Sequence, residues 1–307
     1  MIDLLISKIE EKQNPTVVGL DPSLNFIPEF IKTEEFEKHG KTPKAVAEIF
    51  LRFNKEIIDQ TYDLIPAVKP QIAMYEQFGH EGIRAYIETI KYAKSKGLFI
   101  IGDIKRGDIA STATAYSNGH IGEVNIEGES VKIYEEDAIT ISPYLGHDSV
   151  EPFIEDCKRY NRGLFILLKT SNTGSGEIQD LVVDGEKIYD KVGDLISKWG
   201  RELIGERGYS SIGAVVGATY PEQLKELRKK LKHVFFLVPG YGAQGGSAKD
   251  LKGAFDKNGL GAIINSSRGI IAAYKNQKCA NRFTEKEFAK AARQAVIDMK
   301  ADIQSVI

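Results

Sequence analysis

The sequence predicts a (β/α)8 barrel, and three observations carry that expectation. Eight short apolar runs are spaced along the chain, most of them hydrophobic on both faces, as buried parallel strands are. A helical segment follows almost every run. Polar and charged residues gather where the runs end, at the rim where barrels of this kind carry their sites. The runs cover 16–21, 64–69, 98–103, 137–142, 164–169, 211–217, 234–239 and 260–265. An open, doubly wound sheet is the second architecture that such alternation allows. No Pro/Gly/Ser-rich linker divides the chain, so residues 1–307 are expected to form a single barrel domain.

The helices have local causes. MIDLLISKIEEKQN reads as a short amphipathic helix, without the basic start and long apolar run of a signal peptide. Thr42 is placed to cap a helix with Pro43 in its first turn, and Val46, Ile49, Phe50, Phe53 and Ile57 form its apolar stripe. Ile83, Tyr86, Ile87 and Ile90 form another, closed by Gly97. Pro221 opens the helix that carries Leu224, Leu227 and Leu231. The last helix has a capping box, Thr284 with Glu287, and a staple, Phe283 with Phe288. Two insertions decorate the barrel. Residues 120–136 are polar and glycine-bearing, and residues 174–189 contain LVVDGEKIY, where Asp184-Gly185 is a hairpin turn signal.

Composition narrows the function classes. A net charge of −2 offers no general attraction to nucleic acid or to acidic membranes, so any anion must be recruited by local charges. Cys157 and Cys279 are far apart with no CxxC, which fits a reducing cytoplasm better than a disulfide framework. No apolar run approaches the ~20 residues of a membrane span. The five histidines are scattered, with no HxH or HExxH, so no metal site is expected.

The chemistry centres on LFIIGDIKRGDIAST, residues 98–112. A buried strand ends here in Asp103, Lys105 and Asp108. Alternation along a strand gives Asp103 and Lys105 a shared face, and Gly107 lets the chain turn Asp108 toward the same ammonium. Unpaired buried charges cost several kcal/mol, so these must pair with one another, with a ligand, or both. In isolation the block is equally well read as a surface turn with an ion pair; its place in the chain favours a site. The other strand ends agree. The first gives Asp21 in GLDPS, the second Lys69 in AVKPQ, and the fifth LLKTSNTGSG with Ser171 just past it. Lys169 there reads either as a site residue or as a strand closure paired with a nearby carboxylate. Ser171 lacks a GxSxG elbow, which makes ordinary hydrogen bonding the simpler role.

The last two loops have the character of a phosphate cradle. PGYGAQGG, residues 239–246, lets backbone N–H groups approach an anion, and Gln244 adds an amide. Arg268 follows the eighth strand behind Ser266 and Ser267, and a guanidinium matches phosphate oxygens in bidentate fashion. Loops after the seventh and eighth strands are where barrels often hold phosphate.

Taken together, DIKRGDI, with AVKPQ upstream and PGYGAQGG and SSRG downstream, resembles the orotidine 5′-phosphate decarboxylases, above all the longer form found in many bacteria. The resemblance spans the whole barrel in the right order. It implies conversion of orotidine 5′-monophosphate to UMP and CO2 without metal or organic cofactor, in a homodimer with shared active sites. It further implies that Lys69, Asp103, Lys105 and Asp108 form an alternating charge network, with Asp108 reaching into the partner's site. Lys105 would protonate C6, and Asp21 and Lys69 would contact the ribose hydroxyls. Ser171 would bond the pyrimidine, Gln244 and Arg268 would hold the phosphate, and Thr112 would assist from the partner subunit.

Two other functions remain on the sequence alone. A metal-dependent sugar-phosphate aldolase or decarboxylase would share DxKxxD, but such relatives place an acidic metal ligand where this chain has Lys69. A non-catalytic nucleotide-binding protein would have no need of the intact Lys and Asp set.

Overall fold

The computed structural model describes residues 1–242 and 246–307, with the backbone alone at 277 and 278. Twelve strands are present among them: β1 (Thr16–Leu20), β2 (Ala67–Pro70), β3 (Phe99–Arg106), β4 (Val124–Ile126), β5 (Glu129–Val131), β6 (Ala138–Ile141), β7 (Gly163–Lys169), β8 (Val182–Val183), β9 (Glu186–Lys187), β10 (Ser210–Val216), β11 (Val234–Pro239) and β12 (Ala262–Ser266). Eight of them form a closed barrel in the order β1-β12-β11-β10-β7-β6-β3-β2. The barrel strands are the eight runs expected from sequence, and they pair in parallel: β1 with β2, β2 with β3, β6 with β7, β7 with β10, β10 with β11 and β11 with β12. The remaining four make two small antiparallel hairpins, β4-β5 and β8-β9, one in each insertion. No helix among the described residues is long and apolar enough to cross a membrane.

The chain gathers into two compact units, one of Met1–Lys8, Ile104–Asn265 and Asp302–Ile307, the other of Ile9–Asp103 and Ser266–Ala301. In the second unit the core is aromatic. The helix Pro43–Thr61 starts as its sequence dictates, with Thr42 accepting from the Ala45 amide at 3.2 Å, and buries Val46, Ile49, Phe50, Phe53 and Ile57. Phe50 meets Tyr75 edge-on at 5.9 Å, Tyr75 meets Tyr86 at 5.3 Å, and Phe53 stacks on Phe288 at 5.1 Å. Burial raises the pKa of the Tyr75 phenol, keeping it a donor, and it donates to the Leu20 carbonyl at 3.2 Å. That bond fixes the end of β1, one residue before Asp21. β2 begins at Ala67 rather than at residue 64, because the amides of Leu64 and Ile65 turn back to the Thr61 carbonyl and close the preceding helix.

In the first unit β7 and β10 are buried along nearly all their length, with Phe165, Ile166, Ile212 and Ala214 inside. Asp184 and Gly185 both take positive φ, +54° and +81°, as a two-residue hairpin turn needs. The β4-β5 hairpin was not expected. Its turn, Glu127-Gly128, has the same backbone signs (+49° and +97°), but its strands are three residues long and exposed, so no apolar alternation announced them. The capping box of Thr284 and Glu287 forms as expected and caps a single 3-10 turn that leads into the helix Phe288–Gln304.

Gly82 shows how closely one element is seated. A Cβ there would lie 1.8 Å from the Tyr75 carbonyl oxygen. Alanine normally gains about 1 kcal/mol over glycine inside a helix. Gly82→Ala should instead destabilise the protein by about 1–3 kcal/mol, the cost of overpacking, measured by urea unfolding. A variant as stable as the parent would mean that the Tyr75 turn yields freely.

Candidate active site

In the second unit, three neighbouring strands converge on one ammonium. Parallel register sets Gly19 beside Lys69 and Leu20 beside Pro70, while Gln71 bridges to Asp103. Lys69 Nζ therefore donates to Asp103 Oδ2 at 2.7 Å and lies 3.9 Å from Asp21 Oδ1. Lys69 and Asp103 are buried, at 3% and 6% exposure. Burial alone would lower the lysine pKa; the Asp103 and Asp21 carboxylates outweigh it and raise the value, so Lys69 is an ammonium. Asp21 Oδ1 is buried and accepts no hydrogen bond among the described residues, which leaves it an acceptor for a donor such as a hydroxyl. Arg268, in the same unit, is exposed and opens the short helix Arg268–Ile271 directly after β12.

The first unit carries the rest of the predicted set. β3 runs past the expected end to Arg106, but its pleat does not: Lys105 has φ +45°. The alternation argument for Asp103 and Lys105 therefore stops at Ile104. The left-handed backbone at Lys105 is costly for a residue with a Cβ and persists only where neighbours over-determine it. Here Thr140, buried at 1% exposure on β6, accepts from the amides of both Ile104 and Lys105 at 3.0 Å. The Lys105 side chain is exposed. Gly107 follows tightly against Ser142, since a Cβ there would come within 3.3 Å of the Ser142 Cβ. Asp108 is half-buried and its Oδ1 accepts from the Ile109 amide at 2.8 Å, which orients the carboxylate at the entry to the helix Ala110–His120. Thr112 is exposed in the first turn of that helix.

Ser171 is half-buried just past β7, where Gly217 makes room: a Cβ on Gly217 would lie 2.8 Å from that of Ser171. Lys169 is a strand closure, paired with Asp180 Oδ2 at 2.8 Å and fully buried. In the glycine loop after β11, the Gly242 amide donates to the Gly246 carbonyl at 2.8 Å and the Gly246 amide to Gly240 at 3.2 Å. Gln244 lies outside the described residues. Among the described residues, no three His, Cys, Asp or Glu side chains are grouped so as to hold a metal ion. Thr140 is the residue that sequence reading missed; its signal was a hydroxyl in an otherwise apolar strand, AITI.

Known proteins resemble this chain over nearly its whole length. Residues 18–283 match the family model described as orotidine 5′-phosphate decarboxylase / HUMPS family. The chain belongs to this family. Orotidine 5′-phosphate decarboxylase of Petrotoga mobilis is 47% identical over 307 residues, covering 99% of this chain and 98% of its own. The protein of the same name from Rhodopirellula baltica is 45% identical over 289 residues, 94% of each chain. Among solved structures, Leishmania donovani OMP decarboxylase superposes with a TM-score of 0.73 at 30% identity, covering 99% of this chain and 98% of its own.

Thr140→Val keeps the shape of the side chain but removes the acceptor of the buried Ile104 amide and of the part-buried Lys105 amide. It should cost about 1–3 kcal/mol of stability, read from denaturant unfolding. An unchanged midpoint would show that the Lys105 backbone is held by other contacts.

Proposed function

We propose that this chain converts orotidine 5′-monophosphate to UMP and CO2, the last step of de novo UMP synthesis, as a cytoplasmic single-domain barrel without metal or organic cofactor. The observation that carries this reading is the buried Lys69 ammonium between Asp103 and Asp21, within a chain of the orotidine 5′-phosphate decarboxylase family.

The proposed reaction breaks the bond between C6 and the substrate carboxylate. The electron pair stays in an in-plane orbital at C6, where the ring carbonyls delocalise it poorly, and CO2 departs. Lys105 stabilises this charge as it develops and then transfers its proton to C6. Its neutral amine regains a proton from water. In the proposed network Asp103 and Asp108 are the carboxylate neighbours of Lys105. Asp21 and Lys69 take the ribose hydroxyls, and the unsatisfied Asp21 Oδ1 supports that assignment. Ser171 bonds the pyrimidine, and Arg268 with Gln244 holds the phosphate. The phosphate is remote from C6, so its binding energy is available for orientation and closure. Lys69 stands where the sugar-phosphate aldolases would need an acidic metal ligand, which disfavours that reading.

The enzyme is further proposed to be a homodimer in which Asp108 and Thr112 serve the partner's site. Asp108 and Thr112 lie where the chain has left β3 for the helix Ala110–His120, and an isologous contact there lets each subunit lend the same loop.

Loss of orotidine 5′-monophosphate, followed optically, tests both claims. Lys105→Ala should lose at least the roughly 10²–10⁴-fold that a general acid contributes. A folded variant with near-normal turnover removes Lys105 from its role. For the shared site, Lys105→Ala and Asp108→Ala subunits are allowed to exchange. About half the dimers are then mixed and each contains one intact site, so roughly a quarter of all sites should recover. No recovery, with exchange confirmed by a tag, shows that Asp108 acts in its own chain.

A further inference from the structure

The insertion 174–189 is tied to the end of β7 by contacts that packing alone does not require. Lys169 Nζ, on a side chain with no exposure, meets Asp180 Oδ2 at 2.8 Å and Ser175 Oγ at 3.4 Å. It also lies over the Tyr220 ring at 4.4 Å and the Tyr189 ring at 5.7 Å. One residue on, the Thr170 amide donates to Gln179 Oε1 at 3.0 Å, and Gln179 Nε2 returns a bond to Thr170 Oγ1 at 2.8 Å. Thr170 Oγ1 in turn donates to Asn172 Oδ1 at 2.7 Å. From the other side the Gly217 amide donates to the Lys169 carbonyl at 2.7 Å, and Thr219 Oγ1 to the Ser171 carbonyl at 3.5 Å. Each of these partners belongs to the first unit.

An ion pair on a fully buried ammonium is a poor way to close a strand, because a well-packed apolar residue does so without desolvating a charge. What directed polar bonds supply is a single position. Both bonds of Gln179 fall on Thr170, the residue next to Ser171, and the charge pair falls on the residue before that. We infer that the 174–189 insertion is a strut for substrate recognition, in which Lys169, Gln179 and Asp180 are positioning residues. They hold the backbone so that Ser171 presents to the base of the nucleotide. This rests on the proposed contact between Ser171 and the pyrimidine.

The test compares two probes, UMP and ribose 5-phosphate, which shares the sugar and phosphate but has no base. Gln179→Ala should weaken UMP roughly twofold to tenfold, the worth of a hydrogen bond, and leave ribose 5-phosphate unchanged. Lys169→Met should do the same by a larger factor. In a Ser171→Ala background Gln179→Ala should have no further effect on UMP, because its route to the base is already gone. A merely structural brace would weaken both probes alike, or add its loss to that of Ser171→Ala; either result overturns the strut. If Ser171→Ala itself leaves the ratio of the two affinities unchanged, the contact with the base is wrong and the strut falls with it. Should Lys169→Met fail to fold, the half-buried Gln179, which carries no charge, decides the matter alone.

Discussion

A lysine ammonium withdrawn from water needs carboxylates within reach, and at the end of β2 that need orders its surroundings. Desolvation works against the charged form of Lys69; Asp103 at 2.7 Å and Asp21 at 3.9 Å reverse the balance. Asp21 directly follows β1, Lys69 is in β2 and Asp103 is in β3, so the ammonium is satisfied only when the three strands lie side by side in register. Tyr75 holds the end of β1 by donating to the Leu20 carbonyl. Such a cluster does not maximise stability, since removing two charges from water costs about as much as their attraction returns. What it does provide is a fixed, charged group, which the proposed reaction uses to hold the ribose hydroxyls.

The same device recurs at the ends of β3 and β7. A polar side chain from a neighbouring element is aimed at the backbone of Lys105 in one case and of Thr170 in the other. Thr140 receives the amides of Ile104 and Lys105, and Gln179 grips the amide and the hydroxyl of Thr170 beside Ser171. Glycine lets the chains come this close: Gly107 against Ser142, and Gly217 against Ser171.

Much of this was legible in the residues themselves. The eight barrel strands, the Thr42 cap and the Asp184-Gly185 turn all follow from patterns contained within a few residues. Hydrophobic periodicity, capping oxygens and left-handed turn positions are local requirements, and local requirements leave local marks. The β4-β5 hairpin left almost none, because three-residue exposed strands have no buried face to pattern.

The sequence by itself determined where the strands and turns fall and which charged residues stand at strand ends. Only the tertiary structure decided which of those charges meet. Lys69 and Asp103 are 34 residues apart, and the pairing is set by the register of β2 on β3. Tertiary structure also decided the backbone at Lys105, which leaves the pleat that two-residue alternation presumes because Thr140, from 35 residues away, captures its amide. A hydrogen bond between distant strands is chosen by geometry that exists only once both strands are in place, so no local pattern could have announced it.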